Sequence, residues 1–103
     1  MKRWLSLCLL FVFAPCVHAA SFIVNVGGAQ LVFTPQTLNV DVGDTVTFIN
    51  KGGFHNVTAD DGSFTSSFLT HGHAYSHAFT KPGKYPYHCK IHPYMTGTVI
   101  VTK

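Results

Sequence analysis

Apolar and polar residues alternate in short runs along this chain, and nearly every run stops at a glycine, a proline or an aspartate. Phe22-Ile23-Val24-Asn25-Val26 predicts a first strand, closed by Gly27-Gly28. Leu31-Val32-Phe33 and Leu38-Asn39-Val40 predict two more, divided by Thr34-Pro35. After a turn at Gly43-Asp44, Thr45-Val46-Thr47-Phe48-Ile49 alternates like a half-buried strand, and Lys51-Gly52-Gly53 breaks it. Asp60-Asp61-Gly62-Ser63 predicts a turn and Thr65-Ser66-Ser67 a loop or short edge strand. Alternation returns from His73 to Thr80, with Tyr75 and Phe79 on one face. The turn Lys81-Pro82-Gly83-Lys84 leads into Tyr85-Pro86-Tyr87-His88-Cys89, and Gly97 to Thr102 predicts the last strand.

No segment carries a long helical period, and no internal repeat, linker or low-complexity tract interrupts the pattern. Seven or eight short strands with frequent turns predict an all-β fold, an antiparallel β-sandwich. Pro86 cannot donate to a ladder, so it is expected at an edge or a bulge, on the side opposite Tyr85, Tyr87 and Cys89.

The first residues read differently. Lys2 and Arg3 precede an apolar run from Leu5 to Val12, and Val17-His18-Ala19 has the form of a cleavage site. Residues 1–19 are therefore expected to be a signal peptide and residues 20–103 a single domain. The run falls short of the roughly 20 apolar residues a spanning helix needs. Phe13-Ala14-Pro15 is a poor context for lipidation of Cys16. The expectation is a periplasmic or secreted protein with no membrane insertion.

Charge then loses weight as a clue. Beyond residue 19 the lysines are Lys51, Lys81, Lys84, Lys90 and Lys103, and the aspartates Asp41, Asp44, Asp60 and Asp61, with no Arg or Glu. That near balance gives no support for nucleic-acid binding. The same segment keeps one cysteine, Cys89, and one methionine, Met95. A lone Cys in an oxidising compartment has no partner for an internal disulfide.

The chemistry concentrates in Cys89-Lys90-Ile91-His92-Pro93-Tyr94-Met95, with His55-Asn56-Val57 upstream as the source of a second imidazole. Two His, one Cys and a weak axial Met make the ligand set of a blue-copper electron-transfer site. Structural zinc in a small domain recruits several Cys, and a thioether suits it poorly. An inert buried thiol and a core-filling Met are the bland readings of Cys89 and Met95. His88 points away from the copper side by strand alternation. His71, His73 and His77 share a face at period-2 spacing and are a candidate second metal site, against a solvated strand start. Lys90 reads as a solvated charge. Phe54, Pro93 and Tyr94 are a candidate apolar docking rim around His92, against ordinary loop packing. No paired carboxylates or nucleophile–base arrangement suggest an enzyme.

With these residues in view the chain resembles the cupredoxins, and within them the plastocyanin–amicyanin group. The likeness runs over most of residues 20–103 and is strongest at His55-Asn56-Val57 and from Ala74 to Val101. The spacing Cys89-x-x-His92-x-x-Met95, with Tyr87-His88 before it and Gly97 after, is similar to amicyanin. The resemblance implies a Greek-key sandwich and one type 1 copper held by His55, Cys89, His92 and Met95, with His92 the exposed ligand. It implies that Asn56, behind the ligands, ties the two ligand loops together through hydrogen bonds, and that a Tyr85 hydroxyl pins the Greek-key corner. Ile91 and Phe54 stand where the family often has proline, which bears on tuning. The implied function is a monomeric one-electron carrier serving a redox protein such as a c-type cytochrome or a dehydrogenase. The alternative is copper handling: storage, delivery or resistance.

Overall fold

The computed structural model describes residues 19–103. The expected signal peptide and the Cys16 question lie, apart from Ala19, outside the described residues. Eight strands follow one another: β1 Ser21–Gly27, β2 Phe33–Thr34, β3 Thr37–Asp41, β4 Thr45–Gly52, β5 Thr58–Ala59, β6 Ala74–Ala78, β7 Gly83–Cys89 and β8 His92–Thr102. They form two four-stranded sheets, ordered β2-β1-β4-β6 and β3-β8-β7-β5. The expected all-β sandwich is present.

Within it two pairings run parallel. β1 lies beside β4 with Ser21 opposite Thr45, and β3 beside β8 with Thr37 opposite Thr98. The chain leaves the first sheet after β2, lays down β3 in the second, and returns as β4, so strands distant in sequence become neighbours. β5, two residues long and paired with His88 and Tyr87, was not legible in the sequence. Thr65 touches it through an isolated bridge to Thr58 instead of forming a strand.

Alternation decides which side chains meet between the sheets. Val24 and Val26 of β1, Val46 and Phe48 of β4, Tyr87 and Cys89 of β7, and Val99 and Val101 of β8 are all buried, joined by Phe33, Phe64, Phe79 and Met95. Burying such side chains is the main favourable term in folding. The Tyr87 ring sits edge-on to Phe33 at 4.7 Å and to Phe48 at 5.2 Å. Gly97 makes that possible, because a Cβ there would stand 2.5 Å from Cζ of Tyr87.

Pro86 sits where its missing donor is harmless. Its carbonyl accepts the Asp60 N–H at 2.9 Å, just past the end of β5, so its nitrogen faces a place where no ladder partner continues. Two local devices hold the opposite end of the sandwich. The buried Asp44 carboxylate accepts the N–H groups of Ala20 and Asp41, both at 2.8 Å, closing the turn into β4. The Tyr85 hydroxyl donates to the Lys81 carbonyl at 2.8 Å and fastens the turn into β7.

Candidate metal centre

Three chain segments end at the same pole of the sandwich: the end of β4, the end of β7 and the start of β8. The short Cys89–His92 spacing becomes a tight hairpin, with Cys89 and His92 directly opposed and Lys90-Ile91 between them. His92 therefore begins β8, where the sequence reading placed it in a loop. The register then jumps to His88 opposite Thr96, leaving Pro93, Tyr94 and Met95 bulged out of the ladder. In that bulge Met95 turns inward and is buried, while Pro93 and Tyr94 face outward.

His55 arrives from the segment after β4. Its backbone is clamped to Leu69 by bonds of 3.2 and 2.7 Å, and its side chain is buried. Nε2 lies 2.9 Å from the Gly52 carbonyl, which fixes the proton on that nitrogen and leaves Nδ1 with a free lone pair. Nδ1 of His55 lies 4.0 Å from Cys89 Sγ, and Nδ1 of His92 lies 3.7 Å from it. All three donor atoms fall within 4.8 Å of one another. Burial, the largest influence, holds the His55 pKa below its ordinary value; the Gly52 bond opposes it and the His92 charge assists it. A neutral imidazole is the form a metal requires.

Asn56 is completely enclosed and joins the two ligand segments. Its backbone N–H points at Cys89 Sγ over 3.5 Å, its Oδ1 accepts the Lys90 N–H at 2.8 Å, and its Nδ2 donates to Thr58 Oγ1 at 2.8 Å. A further bond from the Val57 N–H to Ser66 Oγ, at 2.9 Å, anchors the same segment from behind.

Exposed aromatic side chains occur beside His92 and, separately, next to His55 in the chain. Tyr94 is 70% exposed with its ring 6.2 Å from that of His92, and Phe54 is exposed and stacked at 4.9 Å on Phe68. Phe68 was missed by sequence reading, and no pattern there could have flagged it. Asn50 was also missed, although a signal existed: it follows Val46 and Phe48 on the inward face of β4, where a polar side chain must find partners.

The other histidines do not join the centre. His88 Nδ1 pairs with Asp60 Oδ1 at 2.7 Å, on the other side of β7. His73 bonds Thr70 Oγ1, and His77 packs against Phe64 and Phe79. Among the described residues the group of three donors is His55, Cys89 and His92; His71, His73 and His77 are not brought into one.

A family model for copper binding proteins, plastocyanin/azurin family, matches residues 20–102. Amicyanin of Paracoccus denitrificans is 38% identical over 79 residues, spanning 71% of this chain and 60% of that protein's length. Chloroplastic plastocyanin of Tetradesmus obliquus is 32% identical over 105 residues, spanning 88% of this chain and 72% of the other. A solved structure of an oxidised amicyanin mutant superposes with a TM-score of 0.72 at 36% identity, covering 78% of this chain and 80% of that one.

Proposed function

The chain belongs to the plastocyanin/azurin family of copper binding proteins, and from that membership we propose that it is a type 1 copper protein carrying single electrons outside the cytoplasm. The observation that carries the proposal is the convergence of one buried thiol and two imidazole nitrogens within 4.8 Å of one another. That donor set fits copper. The sulfur is soft, the nitrogens are borderline, and one buried thioether lies in the same core. Cys89 Sγ, His55 Nδ1 and His92 Nδ1 would hold the ion, and the Met95 thioether would serve as a weaker donor.

Bound copper supplies a centre that cycles between Cu(I) and Cu(II), one electron at a time. The chain's own residues do the remaining work. Asn56 fixes the spacing of the two ligand segments, and the Gly52 carbonyl holds the His55 tautomer. Burial of Cys89 and His55 excludes water, while half-exposed His92 leaves a short path to a partner. The rim of Phe54, Pro93 and Tyr94 suits brief docking of a redox protein such as a c-type cytochrome or a dehydrogenase. No helix of the described residues is long and apolar enough to cross a membrane. A periplasmic location, after removal of residues 1–19, fits both the sequence and the site.

The test is Cu(II) titration of the metal-free protein. An intense blue thiolate-to-copper band with narrow copper hyperfine splitting supports the assignment, and its survival in a Cys89→Ser variant overturns it. Rapid electron exchange with a cytochrome supports a carrier. Ready loss of copper to a competing apo-protein supports copper handling instead.

A further inference from the structure

Two glycines, Gly27 and Gly53, crowd the His55 imidazole, and the carbonyl of a third, Gly52, meets its Nε2. Gly27 ends β1 and Gly52 ends β4; they oppose each other across an irregularity in the ladder, with Gly28 and Gly53 beside them. Gly27 and Gly53 both hold positive φ, +67° and +88°. A Cβ at Gly53 would stand 2.6 Å from Nε2 of His55, and one at Gly27 would fall on the same nitrogen and 2.5 Å from the Gly52 carbonyl oxygen. The positive-φ glycines Gly43, Gly62 and Gly72 differ: a Cβ at any of them meets nothing within 4 Å. Turn geometry alone explains those three. At Gly27 and Gly53 the absent side chain also makes room for a ring.

We propose that Gly27 and Gly53 are positioning residues for His55, letting two backbones close on the imidazole so that Nε2–H stays on Gly52 and Nδ1 stays turned toward the sulfur. The proposal rests on the copper reading for its purpose, but its geometry stands without metal. The clamp is braced from inside by Asn50, which is fully buried. Its Oδ1 accepts the Gly52 N–H at 2.8 Å, and its Nδ2 donates to the carbonyls of Gly53 at 2.8 Å and Leu69 at 2.7 Å. One side chain thus brackets the peptide whose carbonyl orients the ring and also holds the Leu69 segment that is bonded to the His55 backbone. The Gly28 N–H reaches the same Gly52 oxygen at 3.3 Å and draws β1 against the loop.

The consequence is a ligand that cannot swing. A metal-bound imidazole owes its tautomer and ring angle to what its other nitrogen meets. Here that partner is the Gly52 carbonyl, and Gly27 and Gly53 lie so close to the ring that neither has room for a Cβ beside it. His92 has no such wall, being half-exposed and part of a hairpin. The centre therefore has one rigid and one accessible imidazole.

The experiment uses metal-free protein labelled with ¹⁵N-histidine, then the copper-loaded form. In the wild type, His55 should show an Nε2–H tautomer with a ring proton that exchanges far more slowly than that of exposed His71. Gly53→Ala and Gly27→Ala should lower that protection by roughly ten-fold or more and shift the reduction potential once copper is added. Gly43→Ala places a Cβ at positive φ in open space, so it should lower the melting temperature while leaving both readouts unchanged. Unprotected Nε2–H in the wild type overturns the proposal, even if the alanine variants fail to fold. So does a Gly43→Ala potential shift equal to that of Gly53→Ala. A protected His55 ring in a protein that never turns blue would refute the copper assignment and leave the clamp standing.

Discussion

The backbone N–H of Lys90 donates to Oδ1 of Asn56 over 2.8 Å, a bond between residues 34 apart in sequence. It fastens the hairpin that carries Cys89 and His92 to the segment that carries His55. Removing the amide with Asn56→Ala takes the acceptor from that part-buried N–H and leaves Thr58 Oγ1 with Thr65 Oγ1 as its remaining side-chain partner. The expected cost is about 1–3 kcal/mol in denaturant unfolding, by the desolvation penalty of an unpaired buried group. Asn56→Asp keeps an acceptor for Lys90, so it should recover part of the loss. Copper release should be faster in the alanine variant, measured by transfer to a chelator.

Met95 contributes packing and, in the proposed centre, a weak thioether donor; substitutions separate the two. Met95→Leu keeps the volume, so stability should fall by less than about 1.5 kcal/mol. Met95→Ala opens a cavity and should cost about 2–5 kcal/mol. Because a thioether is a weak ligand at centres of this kind, both copper-loaded variants should stay blue while their reduction potentials move. Loss of colour in Met95→Leu, with the fold intact by circular dichroism, would contradict the weak-donor assignment.

The periodicity of the chain made most strands legible, because period-2 burial and glycine or proline stops are local facts. Thr58–Ala59 was not, since two residues carry no period. The parallel pairings were not legible either, because which strands become neighbours is decided by how the whole chain packs. The metal centre was readable to an unusual degree, as Cys89, His92 and Met95 lie within one hairpin and its bulge. What stayed hidden was orientation. Gly27-Gly28 and Gly52-Gly53 read as strand stops, and nothing local shows that an imidazole from residue 55 occupies the space left at Gly27 and Gly53.

Tyr87 is the buried side chain whose hydroxyl, among the described residues, has no hydrogen-bond partner. Burial holds its phenol well above the ordinary value of 10.0. An unpaired buried hydroxyl costs desolvation with no return, so Tyr87→Phe should raise stability by about 1 kcal/mol. Gly97→Ala should do the reverse, since its Cβ would strike the Tyr87 hydroxyl end of the ring. In the double variant part of that clash disappears, so the two effects should couple by about 0.5 kcal/mol or more in a double-mutant cycle. Strict additivity in urea unfolding would argue that the ring and Gly97 are not in contact.

His77 supplies a pH dependence with a definite sign. Its imidazole packs at 4.6 Å against Phe64 and 4.7 Å against Phe79, and burial lowers its pKa from the ordinary 6.5. The folded protein therefore resists a proton that the unfolded chain accepts near that ordinary value. Above it both states hold a neutral ring, and His77 adds no pH dependence. As pH falls through about 6.5 the unfolded state gains the proton first and stability declines, levelling off below the folded pKa. His77→Phe keeps an aromatic ring against the same neighbours and removes the titration. Urea unfolding of metal-free protein at about pH 8 and about pH 5 should show a smaller loss in that variant than in the wild type. His55, also lowered by burial, titrates in both proteins, so the difference between them isolates His77. An equal loss in both would mean that His77 is as accessible to protons in the folded state as in the unfolded chain.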